Sequence, residues 1–173
     1  KDPAGPIQPR VAALVGKLGE NMGVARIVRF ADGGFVSSYI HLGGKIGVLI
    51  EVNCETDFVA RNEQFKAFVN DLALQVAAAS PSYVRREEIA EDVVAKERSI
   101  YEGQAKELGK PPAAWPKIIE GKLEKFYQEN CLLEQAFIKD PSVVIKDLLA
   151  QQIAKIGENM NVRRFTRFQL GQA

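Results

Sequence analysis

The sequence predicts an α+β fold of two related subdomains, each a small antiparallel sheet covered by helices, with a helical region connecting them. A repeat is the first reason. Residues 17–30 read Lys-Leu-Gly-Glu-Asn-Met-Gly-Val-Ala-Arg-Ile-Val-Arg-Phe, and residues 155–168 read Lys-Ile-Gly-Glu-Asn-Met-Asn-Val-Arg-Arg-Phe-Thr-Arg-Phe. Lys, Gly, Glu, Asn, Met, Val, Arg and Phe recur in register, which chance explains poorly and duplication explains well. The second reason is a run of short segments of alternating character separated by glycine pairs, Gly33-Gly34 and Gly43-Gly44. Such spacing reads as an antiparallel meander. The third is a set of longer segments with apolar residues three and four apart, the spacing of amphipathic helices.

Taken in order, residues 1–10 have the composition of a linker, with prolines at 3, 6 and 9 and no initiating Met. That start suggests a processed or excised chain. Residues 11–80 form the first subdomain. A helix there is stopped by Gly19, and strands are expected over 25–30, 35–41 and 46–52. Asp32-Gly33-Gly34 is read as a turn whose glycines supply positive φ. A helix over 62–79 places Phe65, Phe68, Val69, Leu72 and Val76 on one face, toward the sheet. Residues 81–130 are the connecting region. Ser80-Pro81-Ser82 breaks the preceding helix, a charged helix spans about 87–108, Gly109 to Pro112 ends it, and a further helix fits 115–128 with Pro116 in its first turn. Residues 131–173 are the C-terminal part. Residues 131–138 read as extended, and Asp140-Pro141 as cap and first position of a helix that ends at Gly157. The second copy of the repeat supplies the last strand, over 162–168.

Several function classes lose support at this level. Lys plus Arg is 23 and Asp plus Glu is 22, a formal net charge of +1, so no overall charge favours nucleic acid or an anionic membrane. No apolar run approaches the roughly 20 residues of a membrane-spanning helix. Cys54 and Cys131 stand apart, without CxxC or metal-ligand spacing, and read as reduced structural thiols, though a pair also permits one disulfide. The sequence holds no GxxxxGK[ST], no GxGxxG after a strand and no HExxH. His41 has no nucleophile or carboxylate spaced to work with it, and reads as a residue flanking a turn. No cofactor, metal or enzymatic chemistry is expected.

The stretch with most to say is Glu51-Val52-Asn53-Cys54-Glu55-Thr56-Asp57-Phe58-Val59-Ala60-Arg61-Asn62. A buried-looking strand runs into an acidic loop that sets a carboxylate beside a large apolar ring, just before a helix. The plain reading is a helix N-terminus, with Thr56 or Asp57 as cap and Phe58 stapled into the core. The wider sequence adds a second reading. Residues 38–41, 44–59, 119–123 (Ile-Glu-Gly-Lys-Leu), 133–140 (Leu-Glu-Gln-Ala-Phe-Ile-Lys-Asp), 156–159 and 163–165 closely resemble the core of the elongation factor Ts family, the similarity covering roughly residues 11–170.

That resemblance implies guanine nucleotide exchange on the translational GTPase elongation factor Tu. It implies that the loop inserts Phe58 between elements of the GTPase near its Mg²⁺ and phosphate site, with Asp57 at the tip. The implied partner-binding residues are Thr56, Asp57, Phe58, Val59, Arg61 and Asn62. The small helical module that usually opens such factors, with its Thr-Gly-Ala-Gly stretch, is not in this sequence; it was either removed upstream of Lys1 or never present. The compartment is bacterial cytoplasm or an organelle, with a plastid the favoured organelle. The alternative function is a ribosome- or RNA-associated module on the same scaffold. Arg163, Arg164 and Arg167, interleaved with Phe165 and Phe168, are its best candidates. The plain reading of that strand is Phe inward and Arg outward. The mixed-charge helix of the connecting region reads as a solvated face with local ion pairs, or as a contact arm for the GTPase.

Overall fold

The computed structural model describes residues 6–31 and 33–172. They divide into two compact units, one ending at Arg29 and the other running Phe30–Gln172.

In the first unit, helix α1 (Ile7–Leu18) is stopped by Gly19 at φ 72°, whose N–H donates to the Val15 carbonyl at 2.9 Å. A left-handed residue at this position is one glycine adopts without penalty. Residues 7–10, expected within the linker-like start, are thus the first turn of α1; residues 1–5 lie outside the described residues. An open cavity of about 570 Å³ lies against Val11 and Val15 of the helix and Met22, Val24 and Ile27 of the segment after it. The strand expected over 25–30 is absent: residues 21–30 have no regular structure. A strand needs a ladder partner for its N–H and C=O groups, and this segment has no ladder in its own unit.

The second copy of the repeat finds such a partner. Helix α6 (Ile145–Ile156) ends at Gly157, φ 81°, with the Gly157 N–H donating to Ile153 O at 2.8 Å. Strand β5 (Met160–Gln169) follows. The two copies therefore share a twelve-residue helix and its glycine cap but differ in what comes next. β5 joins β1 (Phe35–His41) and β2 (Ile46–Cys54) in one antiparallel sheet of order β1-β2-β5. The α+β expectation with small antiparallel sheets holds. The larger sheet takes its third strand from the C-terminal copy and none from residues 25–30.

β2 is central because its alternate residues Ile46, Val48, Ile50 and Val52 are all buried, giving it an apolar face from end to end. Helix α3 (Glu63–Ala79) covers that face with Phe65, Phe68, Val69, Leu72 and Val76, the stripe read from the sequence, every one buried. Each such side chain contributes about 1.5–3 kcal/mol of burial. The polar Ser37 of β1 is admitted under α3 because its hydroxyl donates to Asn70 Oδ1 at 2.6 Å.

A second, two-stranded sheet pairs β3 (Ala136–Phe137) with β4 (Asp140–Val144). Gln75 of α3 ties it down. Its amide donates to Gln135 Oε1 and Ala136 O, both at 3.1 Å, and its carbonyl accepts from Ile138 N at 2.8 Å. Gln75 is 1% exposed and fully bonded, as a buried amide must be. Asp140-Pro141 does not open a helix, contrary to expectation. Asp140 accepts from the backbone N–H and the hydroxyl of Ser142, a local turn that competes with helix capping, and α6 starts at Ile145 instead.

Helices α4 (Glu91–Glu107) and α5 (Trp115–Asn130) pack on one another. Arg86, in a 3-10 turn before α4, joins the region to the core. Its guanidinium donates to Glu124 and Glu134 and lies 4.5 Å from the Tyr127 ring centroid. Among the described residues no helix is long and apolar enough to cross a membrane.

Candidate partner-binding site

The site lies where β2 hands the chain to α3. Thr56 is extended and its hydroxyl accepts from Val59 N at 3.4 Å, capping the one-turn helix α2 (Asp57–Arg61). Asn62 ends α2 and caps α3, its side-chain oxygen accepting from Gln64 N at 2.7 Å and Phe65 N at 3.3 Å. These two caps fix which residues of α2 face inward. Val59 is 2% exposed and packs in the core, whereas Phe58 is 78% exposed. The staple reading of Phe58 is therefore excluded: Val59 anchors the turn, and Phe58 stands out from it.

Of the residues named from the sequence, the structure brings Asp57, Phe58 and Arg61 to the surface of one helical turn. Thr56 is exposed but engaged, its hydroxyl donating to both oxygens of Glu158 at 2.8 and 3.0 Å. Asn62 serves as a cap and Val59 as the plug beneath the tip. Sequence reading missed Glu158 and Asn159; the latter donates to Glu55 Oε1 at 2.8 Å. Their signal was the repeated Gly-Glu-Asn-Met, which had suggested architecture alone.

Glu51 was also missed. It is 1% exposed in the middle of β2, where an unpaired carboxylate would be costly. Arg163 Nη1 reaches its Oε1 at 2.7 Å and Arg164 Nε its Oε2 at 2.5 Å. Successive strand residues normally point to opposite faces. Here the pairing jumps from Glu51↔Arg164 to Val52↔Val162, so Arg163 is the extra residue of a bulge, which lets both guanidinium groups reach one carboxylate. Gly34 N donates to the same Oε1 at 3.1 Å.

The Gly33-Gly34 pair is explained by this close approach. Gly34 is not left-handed, contrary to the turn reading; a Cβ there would lie 2.5 Å from the Val52 carbonyl oxygen, and one on Gly33 would meet the Glu51 carboxylate. Asp32 lies outside the described residues. Gly34→Ala is expected to destabilise the fold by about 1–3 kcal/mol through overpacking, read as a lower urea midpoint.

The arginines proposed for RNA all have internal work. Arg164 additionally stacks 4.3 Å from the Phe30 centroid, and Arg167 donates to Ala77 O at 3.2 Å and Gln169 Oε1 at 2.9 Å. His41 pairs with the Tyr39 hydroxyl at 3.0 Å, beside the hairpin turn as expected. Both cysteines are free thiols: burial pushes Cys131 up to about 11, and burial followed by the Glu158 charge raises Cys54.

Comparison with known proteins gives the family to which this arrangement belongs. The family described as Elongation factor TS matches residues 3–172. Elongation factor Ts of Carboxydothermus hydrogenoformans is 58% identical over 144 residues, 83% of this chain and 66% of that protein. That of Geobacter sulfurreducens is 58% identical over 144 residues, 83% of this chain and 67% of the relative. For Anaeromyxobacter dehalogenans the figures are 57% over 156 residues, 90% and 71%. This chain belongs to the elongation factor Ts family. These relatives are bacterial and lend no support to the plastid preference.

Proposed function

We propose that the chain promotes GDP release from elongation factor Tu, with Phe58 as an apolar wedge and Asp57 and Arg61 as its polar flanks. The observation that carries this reading is the pairing of Val59 at 2% exposure with Phe58 at 78% on a single capped turn. A ring held that far out of the core gains nothing for the fold and is available to a partner.

GDP and Mg²⁺ are held in the GTPase by a phosphate cradle and a hydrated ion, where small displacements are costly. A ring entering an apolar gap there shifts the cradle without offering a group that replaces the nucleotide. A thousandfold faster release needs about 4 kcal/mol, and burying one Phe gives roughly 1.5–3 kcal/mol. The remainder falls to Asp57, Arg61 and a broader interface. Linkage then requires that nucleotide weaken the factor as much as the factor weakens nucleotide.

Release of a fluorescent GDP from elongation factor Tu, with and without this chain, tests the reading. The expected result is a saturable acceleration. No acceleration at any concentration would sink it. Affinity for an RNA that fell steeply with salt would favour the alternative module instead.

A further inference from the structure

We propose that Glu158 and Asn159 are positioning residues for the Asp57-Phe58 tip; this rests on the exchange reading above. Helix α2 is five residues long, far below the length at which a helix holds itself. Its orientation therefore depends on the Val59 plug beneath it and on whatever fixes its cap. The turn after α6 supplies the second constraint. Gly157 reverses the chain in a left-handed conformation, and the next two side chains reach the residues immediately before the tip.

The hydrogen-bond inventory at Thr56 makes the case specific. A hydroxyl has one proton and two lone pairs. The Thr56 proton is directed to the Glu158 carboxylate, whose oxygens lie at 2.8 and 3.0 Å. That leaves a lone pair for Val59 N at 3.4 Å. Glu158 thus sets the rotamer of the residue that caps α2, two positions before Phe58. Asn159 Nδ2 holds Glu55 from the same turn at 2.8 Å. The partners are 102 and 104 residues apart in sequence, so the clamp exists only in the assembled fold. The same Gly-Glu-Asn occurs as Gly19-Glu20-Asn21 after α1. In the C-terminal copy it has a tip to hold.

These bonds lie at the surface, so their removal should barely change stability. Its effect should fall on the aim of the ring. The test uses the full chain as wild type, Glu158→Ala and Glu158→Gln, measuring the saturated rate of GDP release from elongation factor Tu, the half-maximal concentration, the melting temperature, and amide hydrogen exchange over residues 56–61. Glu158→Ala is expected to lower the saturated rate about three- to tenfold, shift the half-maximal concentration by less than about twofold, leave the melting temperature within a few degrees, and speed amide exchange at the tip. Glu158→Gln keeps an acceptor for the Thr56 hydroxyl and should restore both the rate and the protection. An unchanged rate in Glu158→Ala would overturn the proposal, as would an equal loss in both variants, which would mark a charge contact with the partner. If the wild type itself fails to release GDP, the exchange reading falls. Amide protection at 56–61 then still decides the clamp, and unaltered protection in Glu158→Ala would refute it.

Discussion

Phe58→Ala is expected to slow saturated GDP release from elongation factor Tu by about 10- to 100-fold while the protein melts as before. The size follows from the ring: transferring one Phe from water to an apolar gap yields roughly 1.5–3 kcal/mol, and each 1.4 kcal/mol is about a factor of ten in rate. The location follows from exposure. Phe58 is 78% exposed, so its removal opens no cavity, whereas Phe65 seven positions on is 0% exposed under the sheet. Phe65→Ala is the matched control and should lose about 3–5 kcal/mol of stability. The loss in Phe58→Ala should appear in the plateau rate more than in the half-maximal concentration, because a wedge acts on the barrier while the surrounding contacts supply affinity. Thermal melts alongside the release assay separate the outcomes. Melting like a core deletion, or an unaltered plateau, would remove Phe58 from the mechanism.

The contrast between Phe58 and its neighbours shows what the sequence could convey. The α3 stripe was legible because helical burial has a local period, and all five apolar residues read from it are buried. One turn of helix is too short for any period, so the pattern alone could not say which of Phe58 and Val59 faces inward; the Thr56 and Asn62 caps settle it in three dimensions. The strand expected over 25–30 failed for the opposite reason. Its alternation matches that of β5, but a strand is defined by its ladder: β5 has one on β2, and residues 21–30 have none in their own unit. At Asp140 two local devices competed for one carboxylate, and the turn with Ser142 prevailed over the helix cap. Glu51 was invisible because its partners are 112 and 113 residues away. The bulge that brings Arg163 to it leaves no mark on the alternation.

Glu51→Ala is expected to destabilise the protein by about 3 kcal/mol, near the lower end for breaking a buried ion pair. The lower end applies because the stranded guanidinium groups, 45% and 40% exposed, can regain water, whereas the Gly34 N–H simply loses its acceptor. The effect should depend on pH. Burial by itself would raise the Glu51 pKa. Hydrogen bonds from Arg164, Arg163 and the Gly34 N–H, with the Arg163 charge, outweigh it, and the net shift is downward. A carboxylate whose folded pKa lies below its unfolded value, about 4.3, stabilises fully above that value and loses its contribution as pH falls through the folded one. Glu51→Gln keeps the shape and cannot ionise, so its deficit relative to wild type should be constant from pH 7 to about 5 and shrink below about pH 4. Urea midpoints of both proteins across that range measure it. A deficit that persisted unchanged at low pH would mean that the packing of the bulge, and not the charge of Glu51, joins β5 to the centre of the sheet.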